Sequence, residues 1–238
     1  MSDRIVVVNV ANGAWFPRGQ HRLWKSLFNL DSSPLYPGIE FKGWSDCYPD
    51  GSETHQAKPY QFKRKALEWA RDQGYDIGIW ADASCWFVKD PQPLIDVIKD
   101  RGYWICTLGW DIGSWCSDKA LIGTNYTRDE LFKMPMTAAT FYAIDFRKPI
   151  ADKLLDYMRM KEQYFPGPYQ NIDGEASTDK RVGGHRHDQT FLSVFAHEHD
   201  MIIDRPPCFF EYAKQFTPGV AKSAGPAHDG VVAIAQGM

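Results

Sequence analysis

The clearest hydrophobic pattern lies in the first third of the chain, where a buried strand, an amphipathic helix and a second strand follow one another. Residues 4–10 form a nearly continuous apolar, β-branched run, which is typical of a strand buried on both faces. Residues 59–73 carry apolar positions at helical spacing between Pro59 and Gly74, residue types that commonly open and close a helix. A short apolar run at 77–80 then predicts the second strand.

The same criteria predict further elements along the rest of the chain. The predicted helices cover 19–30, 91–99, 127–130, 150–158 and 187–198, with Gly102 ending the second and a capping box opening the third. The predicted strands cover 41–44, 85–88, 103–108, 138–146 and 201–203. Residues 164–186 predict a long surface loop, and the tail after residue 206 is expected to be irregular.

Helices and strands alternate in the first hundred residues, and this order predicts an α/β fold with a mostly parallel central sheet flanked by helices. Ligands of such sheets bind beyond the carboxyl ends of the strands. The turns at 9–15 and 81–84 follow two predicted strands and are therefore the candidate binding positions. A length of 238 residues suits one large domain, or at most two small ones.

Composition narrows the class of protein. The chain is 44% hydrophobic and 24% charged, as in ordinary soluble globular proteins, which excludes a disordered tail, a collagen-like rod and a coiled coil. A net charge of −3 argues against a protein that depends mainly on nucleic-acid phosphates. The 5 cysteines are scattered without a CxxC pair, and no apolar run near the start is long enough for a signal peptide or a membrane span. We therefore expect a soluble, cytoplasmic protein without a membrane partner.

Asp82 is the first candidate for chemistry, because it follows the short strand at 77–80 and stands between Ala81 and Ala83. The alanines let a ligand approach the backbone, the carboxylate offers a hard oxygen, and the Ser84 hydroxyl offers a weaker ligand. Mg²⁺ and Mn²⁺ suit such a site, because they take one or two carboxylates together with phosphate oxygens and water. The competing interpretation is that Asp82 only caps a turn.

Lys63 is the second candidate, on the helix that precedes this strand. It comes one position after the inward-facing Phe62, so its ammonium group can border the crevice and neutralise a phosphate. The competing interpretation is a solvated helix face, and we prefer that interpretation for Arg64 and Lys65.

Asp188 is the third candidate, in the predicted first turn of the helix at 187–198. The helix dipole favours a carboxylate there and is expected to lower its pKa. Asp188 is therefore either a general base toward a hydroxyl or an anion that only stabilises the helix end.

The histidines suggest a zinc site as a further possibility. His197 and His199 lie too far along the helix from His187 to share one ion with it, so surface positions are expected for both. His228 lies in a Gly-rich tail and becomes a metal ligand only if that tail folds back over the sheet. The zinc ligand set would be His185, His187, Asp188 and His228.

The sequence resembles the GT-A fold glycosyltransferases, which use nucleotide sugars. The resemblance spans most of the chain and rests on three segments. The first, KPYQFKRKALEWARDQGYDIGIWADAS at 58–84, ends where that family carries its DxD-type motif. The second is the strand TAATFYAIDF, and the third, GHRHDQTFLSVF at 184–195, is similar to the segment that carries an acceptor-side aspartate. His228 matches the family's late histidine at the metal site.

The resemblance implies one GT-A-like domain over 1–238, with residues 1–110 as the nucleotide-sugar-binding half and 111–238 as the acceptor-binding half and closing segment. It implies that Asp82, Ser84 and His228 hold Mn²⁺ or Mg²⁺ and that Asp188 is the catalytic base. Because Ser84 stands where the motif often has its second carboxylate, His228 and the donor's diphosphate would supply the remaining ligands. The implied donor-binding residues are Val10, Ala11, Asn12, Trp15, Lys63, Ala81 and Ala83.

We therefore expect a metal-dependent glycosyltransferase that moves a sugar from a nucleoside-diphosphate sugar, with UDP favoured, to an acceptor hydroxyl. A single in-line attack with Asp188 as base would invert the anomeric centre. Two alternatives stay open, a catalytically silent nucleotide- or carbohydrate-binding module on the same fold and a zinc-dependent hydrolase. The acceptor class also stays open among a glycan, a protein, a small molecule and a modified nucleobase.

Overall fold

The structure is a computed structural model that describes residues 3–28, 35–36, 38–212 and 230–235. Its strands are β1 (Ile5–Ala11), β2 (Ile39–Ser45), β3 (Ile77–Ala81), β4 (Cys85–Phe87), β5 (Tyr103–Trp104), β6 (Thr107–Asp111), β7 (Pro135–Thr137), β8 (Phe141–Asp145), β9 (Phe210–Tyr212) and β10 (Ala233–Ala235). Its α-helices are α1 (Phe16–Lys25), α2 (Gln61–Asp72), α3 (Gln92–Arg101), α4 (Asp118–Ile122), α5 (Arg128–Leu131), α6 (Pro149–Lys161) and α7 (His187–Glu198).

The central sheet has five strands in the order β2-β1-β3-β8-β5. β1 pairs in parallel with β2 and β3, whereas β8 pairs antiparallel with both β3 and β5. The predicted α/β class, with helices flanking one central sheet, is confirmed, and the sheet is mixed because β8 runs opposite to β3. Strand β8 comes from the second half of the chain, so both halves contribute to the sheet. The functional division at residue 110 stays a prediction.

Side chains along β1 alternate between two layers of the core. Val6, Val8 and Val10 pack on the side of α2, α6 and α7, whereas Ile5 and Val7 pack on the side of α1 and α3. Every residue of β1 is buried, which explains why its sequence shows an apolar run instead of a polar–apolar alternation.

Most predicted helices form where the sequence places them. α3 ends at Gly102, which adopts a left-handed φ of 87°, and Thr127 and Glu130 form the predicted capping box of α5. α1 is the exception, because it begins at Phe16 and not at residue 19. A proline in its first turn, where the missing N–H costs nothing, accounts for the earlier start.

Several short strands differ from the sequence-based predictions. The predicted strand at 103–108 is divided between β5 and β6, and the predicted strand at 201–203 does not form. Ile202 instead donates its backbone N–H to the Tyr103 hydroxyl at 2.7 Å. The tail is not wholly irregular, since β10 pairs antiparallel with β4 and parallel with β9. These three-residue strands depend on non-local pairing, which leaves no periodic signal in the sequence.

A helix that crosses a membrane needs about 20 consecutive, predominantly apolar residues. Across the described ranges, no helix combines the length and the apolar character that a membrane crossing requires.

Candidate functional site

A cavity of about 340 Å³ lies at the carboxyl ends of β1 and β3, where the α/β topology predicts a ligand site. Its volume falls at the lower end of the range for small-molecule sites. Its walls come from the ends of these strands, the start of α1, the loop before α2, α2 itself and the loop before α7. The lining residues are Val10, Asn12, Phe16, Tyr48, His55, Tyr60, Phe62, Lys63, Trp80, Asp82, Ala83, Ser84 and Tyr169.

A buried hydrogen-bond network fixes the strand ends beneath this cavity. Asn9 of β1 donates to the Ala81 carbonyl of β3 at 2.6 Å. Gln20 of α1 donates to Asn9 Oδ1 at 2.8 Å and to the Trp44 carbonyl of β2 at 3.2 Å. Because both amide side chains are buried and hydrogen-bonded, they hold β1, β2 and β3 in register where the cavity begins.

The structure brings together about half of the residues that the sequence predicts for the site. Ala11 and Ala81 are buried in their strands and do not reach the cavity wall. Trp15 is 66% exposed and lies outside the lining, and the next residue, Phe16, takes its place because α1 begins there. His228 lies outside the described residues. The predicted residues that do line the cavity are Val10, Asn12, Lys63, Asp82, Ala83 and Ser84.

Aromatic side chains form much of the wall, and they are not among the residues that the sequence predicts for the site. Tyr48 and His55 belong to the irregular segment before α2, and the His55 ring meets the Tyr60 ring edge-on at 4.7 Å. Phe62 lies 5.8 Å from Trp80, ring centre to ring centre. The high aromatic content of the chain is the one sequence signal that pointed to such a lining.

The turn after β3 presents Asp82 to the cavity and is tied down on several sides. The Asp82 N–H donates to the Thr140 carbonyl at 2.9 Å, and the Asp82 carbonyl accepts from Cys85 N–H at 2.8 Å. Trp80 Nε1 donates to Asp82 Oδ1 at 2.7 Å, and Arg22 donates to the Ser84 carbonyl at 2.7 Å. The turn therefore holds the Asp82 carboxylate in one orientation.

Lys63 connects Asp82 and Asp188, two of the residues that the sequence predicts for the site. Its Nζ lies 3.3 Å from Asp82 Oδ1 and 3.2 Å from Asp188 Oδ2, and it donates to the Ala139 carbonyl at 2.9 Å. These three contacts match the three donors of an ammonium group. Lys63 thus links the turn after β3, α7 and the chain before β8. It also lines the cavity.

Burial and charge act against each other in this cluster. Burial alone lowers the pKa of Lys63, but the carboxylates of Asp188 and Asp82 outweigh it, so the pKa of this lysine is raised and the group is charged. Burial raises the pKa of Asp82 and of Asp188, and the Lys63 charge partly opposes that increase. Burial likewise raises the pKa of the adjacent Tyr142 hydroxyl. With both aspartates ionised, the cluster carries one net negative charge.

Asp188 lies beside the cavity and not on its wall. It stands in the first turn of α7, as predicted, but its side chain is only 4% exposed and faces Lys63. The expectation that the helix dipole leaves it with a lowered pKa is wrong, because desolvation outweighs the backbone N–H groups that favour the charged form. Its Oδ2 atom has no hydrogen-bond partner besides the ion-pair contact. Its role as a base stays a prediction.

The two histidines before α7 are anchored through backbone carbonyls. His185 Nε2 lies 3.2 Å from the Tyr164 oxygen, and His187 Nδ1 lies 2.8 Å from the Phe165 oxygen. Burial lowers the pKa of each to about 4, so both are neutral at pH 7.

A zinc site finds no support in the part of the chain that the structure describes. No three His, Cys, Asp or Glu side chains lie close enough there to hold a metal ion. His197 and His199 are exposed, as predicted. The fourth residue of the predicted zinc set, His228, lies outside the described residues.

A hard divalent cation such as Mg²⁺ or Mn²⁺ suits the turn after β3 better than zinc does. The Asp82 side chain is 33% exposed, and Ser84 lies beside it on the same wall. One carboxylate and one hydroxyl make an incomplete shell, which phosphate oxygens and water commonly complete around Mg²⁺. The donor set therefore fits a cation that arrives with a phosphorylated ligand.

Comparison with known proteins adds evidence on the fold. No protein-family model matches the chain, and no curated protein matches it significantly. Among solved structures, the apo crystal structure of mouse xyloside xylosyltransferase 1 matches with a TM-score of 0.53 and 10% sequence identity, over 98% of this chain and 97% of that chain. At this identity the match concerns the fold alone, and it confirms the expected GT-A-like α/β fold.

Proposed function

We propose that this protein is a glycosyltransferase that takes its sugar from a nucleoside-diphosphate sugar, with UDP favoured, and passes it to an acceptor hydroxyl. The observation that carries the proposal is the position of Asp82, on the wall of an aromatic-lined cavity at the carboxyl ends of β1 and β3. The fold shared with a xylosyltransferase supports it, and a pentose is therefore included among the candidate sugars.

Charge balance supports a requirement for a divalent cation. Lys63, the lysine on the cavity wall, already contacts two carboxylates and a carbonyl, so its ammonium group is not free to bind a phosphate directly. A diphosphate beside a cluster of net negative charge needs additional positive charge. Asp82 and Ser84 would hold Mn²⁺ or Mg²⁺, and the ion would neutralise charge that develops on the leaving diphosphate.

The wall residues have separate roles in this proposal. The aromatic faces of Tyr48, Phe62 and Trp80 offer apolar surface to a nucleobase or a sugar ring. Lys63 acts as a positioning residue, because it contacts the carboxylate of Asp82 beside it on the wall. This revises the expectation that Lys63 contacts the diphosphate.

Asp188 is the proposed base for the acceptor. The acceptor oxygen would attack the anomeric carbon, the bond from that carbon to the diphosphate would break, and the acceptor proton would pass to Asp188. A single displacement of this kind inverts the anomeric centre. The raised pKa of Asp188 suits a base, and Lys63, which it contacts at 3.2 Å, lines the cavity.

The burial of Asp188 favours one alternative, a nucleotide- or carbohydrate-binding module on the same fold that does not catalyse transfer. In that case Asp188 only stabilises Lys63, and the cavity binds its ligand without turnover. Binding without any release of nucleotide would identify this alternative.

The test is turnover of a panel of UDP- and GDP-sugars, including UDP-xylose and UDP-glucose, with Mn²⁺ or Mg²⁺. We expect release of nucleoside diphosphate from at least one donor and loss of that release in Asp82→Ala. Asp156→Ala, at an exposed carboxylate on α6, is the matched control and should keep wild-type turnover. Absence of both binding and turnover for every donor contradicts the proposal.

A further inference from the structure

An aromatic surface adjoins the cavity on the side of the long loop before α7. Its members are Trp110 at the end of β6, Trp115 just after it, and Tyr169 and Arg186 in the loop, and we call this group the aromatic platform. The Arg186 guanidinium lies 3.8 Å from the centre of the Trp115 ring, 5.7 Å from that of Tyr169 and 5.9 Å from that of Trp110. The two tryptophan rings are 5.5 Å apart.

The platform is held rigidly by backbone contacts. Arg186 donates to the Tyr169 carbonyl at 2.8 Å, and its own N–H donates to the Trp115 carbonyl at 3.1 Å. Gly183 N–H donates to the Ser114 carbonyl at 2.8 Å. A Cβ on Gly184 would lie 2.0 Å from the Tyr169 backbone oxygen, so only glycine allows these two segments to approach so closely. The two segments therefore form one preassembled surface.

Two aromatic residues of the platform are partly exposed to solvent. Trp110 is 43% exposed and Tyr169 is 53% exposed, although rings of this size usually gain by burial. Tyr169 also lines the cavity, so the platform begins where the cavity opens. A molecule on the platform would thus lie next to a donor held in the cavity.

We propose that the aromatic platform binds a sugar ring of the acceptor, and that the acceptor is therefore a glycan or another glycoside. This inference rests on the glycosyltransferase function proposed above. A pyranose ring has faces of C–H groups, which pack on aromatic rings, and a rim of hydroxyls, which accept hydrogen bonds from a guanidinium.

The chemistry of the platform favours a sugar over the other acceptor classes. A nucleic-acid acceptor needs several cations for its phosphates, and Arg186 is the platform's one cationic side chain. A peptide gains most of its binding affinity from a sheet edge or an apolar groove. This surface instead consists of aromatic rings around one guanidinium group. The combination of exposed rings and a fixed guanidinium matches the amphipathic faces of a carbohydrate.

The experiment measures binding of xylobiose, maltose and lactose by ligand-observed NMR, for the wild type and for Trp110→Ala. At least one disaccharide should bind the wild type, and Trp110→Ala should weaken it about tenfold, which equals about 1.4 kcal/mol. Trp110→Phe, which keeps a ring, should restore most of the affinity. Ile122→Ala removes an exposed apolar side chain elsewhere and should change nothing.

Parallel titrations separate this inference from the proposed function. Trp110 does not line the cavity, so Trp110→Ala should bind UDP with Mn²⁺ as the wild type does. If UDP does not bind the wild type, that result counts against the proposed donor site. Whether the aromatic platform binds a sugar depends on the disaccharide titrations alone. The inference is overturned if no disaccharide binds, if Trp110→Ala binds them unchanged, or if only a thymidine dinucleotide or a serine peptide binds in a Trp110-dependent way.

Discussion

The Nζ atom of Lys63 lies 3.2 Å from the Oδ2 atom of Asp188, and both side chains are only 4% exposed. Both charged groups lose their hydration on burial, which costs free energy. Their mutual attraction offsets this cost only while both charges are present. Asp82, on the cavity wall, lies 3.3 Å from the same ammonium group. The candidate site and the stability of the fold are therefore linked through Lys63.

Removal of Lys63 is predicted to destabilise the protein strongly. Lys63→Met keeps most of the side-chain volume but leaves the buried Asp188 carboxylate without its counter-charge. We expect the free energy of unfolding to fall by about 3–5 kcal/mol, the usual cost of breaking a buried pair from one side. Urea unfolding followed by tryptophan fluorescence measures the change.

A double variant provides the internal control for this prediction. Lys63→Met combined with Asp188→Asn removes both charges and should recover part of the lost stability. Lys25→Met, at an exposed position of α1, should stay within about 0.5 kcal/mol of the wild type. If Lys63→Met is as stable as Lys25→Met, the buried ion pair does not exist in solution.

Asp188→Asn should separate transfer from binding. The substitution keeps the size of the side chain, and Lys63 keeps its contact with Asp82, so the UDP affinity should stay within a few-fold of the wild-type value. Transfer to the acceptor should fall by about 10²- to 10⁴-fold, the usual contribution of a general base. Measured kcat and Kd for both proteins test this, and full transfer activity in the variant would place the base elsewhere.

Gly19 of α1 touches the turn that carries Asp82. A Cβ at this position would lie 2.1 Å from the Ala83 carbonyl oxygen, a backbone atom that cannot move aside cheaply. Gly→Ala inside a helix normally stabilises by about 1 kcal/mol. Gly19→Ala should instead destabilise by about 1–3 kcal/mol and weaken UDP binding. Thermal unfolding gives the sign, and a higher Tm than the wild type would refute the close approach.

The buried histidines predict a specific acid sensitivity. Burial lowers the pKa of His185 and of His187 from 6.5 to about 4, so the unfolded chain binds more protons than the folded one between these values. The free energy of unfolding should therefore fall as the pH falls from 6.5 to 4, by up to about 1.4 kcal/mol per pH unit for each histidine. Asp82 and Asp188, whose pKa is raised above 3.8, act in the opposite sense from pH 3.8 upward, so their contribution overlaps the histidine window.

A paired substitution isolates the histidine contribution. His185→Gln with His187→Asn retains N–H donors near the Tyr164 and Phe165 carbonyls but removes both titrating rings. Urea unfolding at several pH values should show a flatter dependence between pH 6.5 and 4 in this variant. His199→Gln, at an exposed position, should follow the wild type. Equal slopes in all three proteins would contradict the prediction.

The sequence was sufficient to predict the parts of the site that lie on regular elements. Lys63 on α2 and Asp82 after β3 follow from a helix and a strand with strong periodicity, and the βαβ order places both at one edge of the sheet. The resemblance implies Trp15, but Phe16 lines the cavity in its place, because α1 begins at Phe16 and not at residue 19.

The rest of the site depends on contacts between distant segments. Tyr48 and His55 reach the cavity from an irregular segment, and Tyr169 reaches it from the loop before α7, so no local pattern marks them. The burial of Asp188 follows from the packing of α7 against α6 and the core, which its polar first turn does not reveal. Tertiary packing, not local preference, decides these positions.

The most direct test of the account is a calorimetric titration of UDP, with and without Mn²⁺, into the wild type and into Asp82→Asn, with Asp156→Asn as control. We expect Mn²⁺ to raise the UDP affinity of the wild type and of Asp156→Asn at least about tenfold, which corresponds to about 1.4 kcal/mol. We also expect Asp82→Asn to lose this gain. Two results would contradict the proposed site: UDP does not bind the wild type, or Mn²⁺ still raises the UDP affinity of Asp82→Asn.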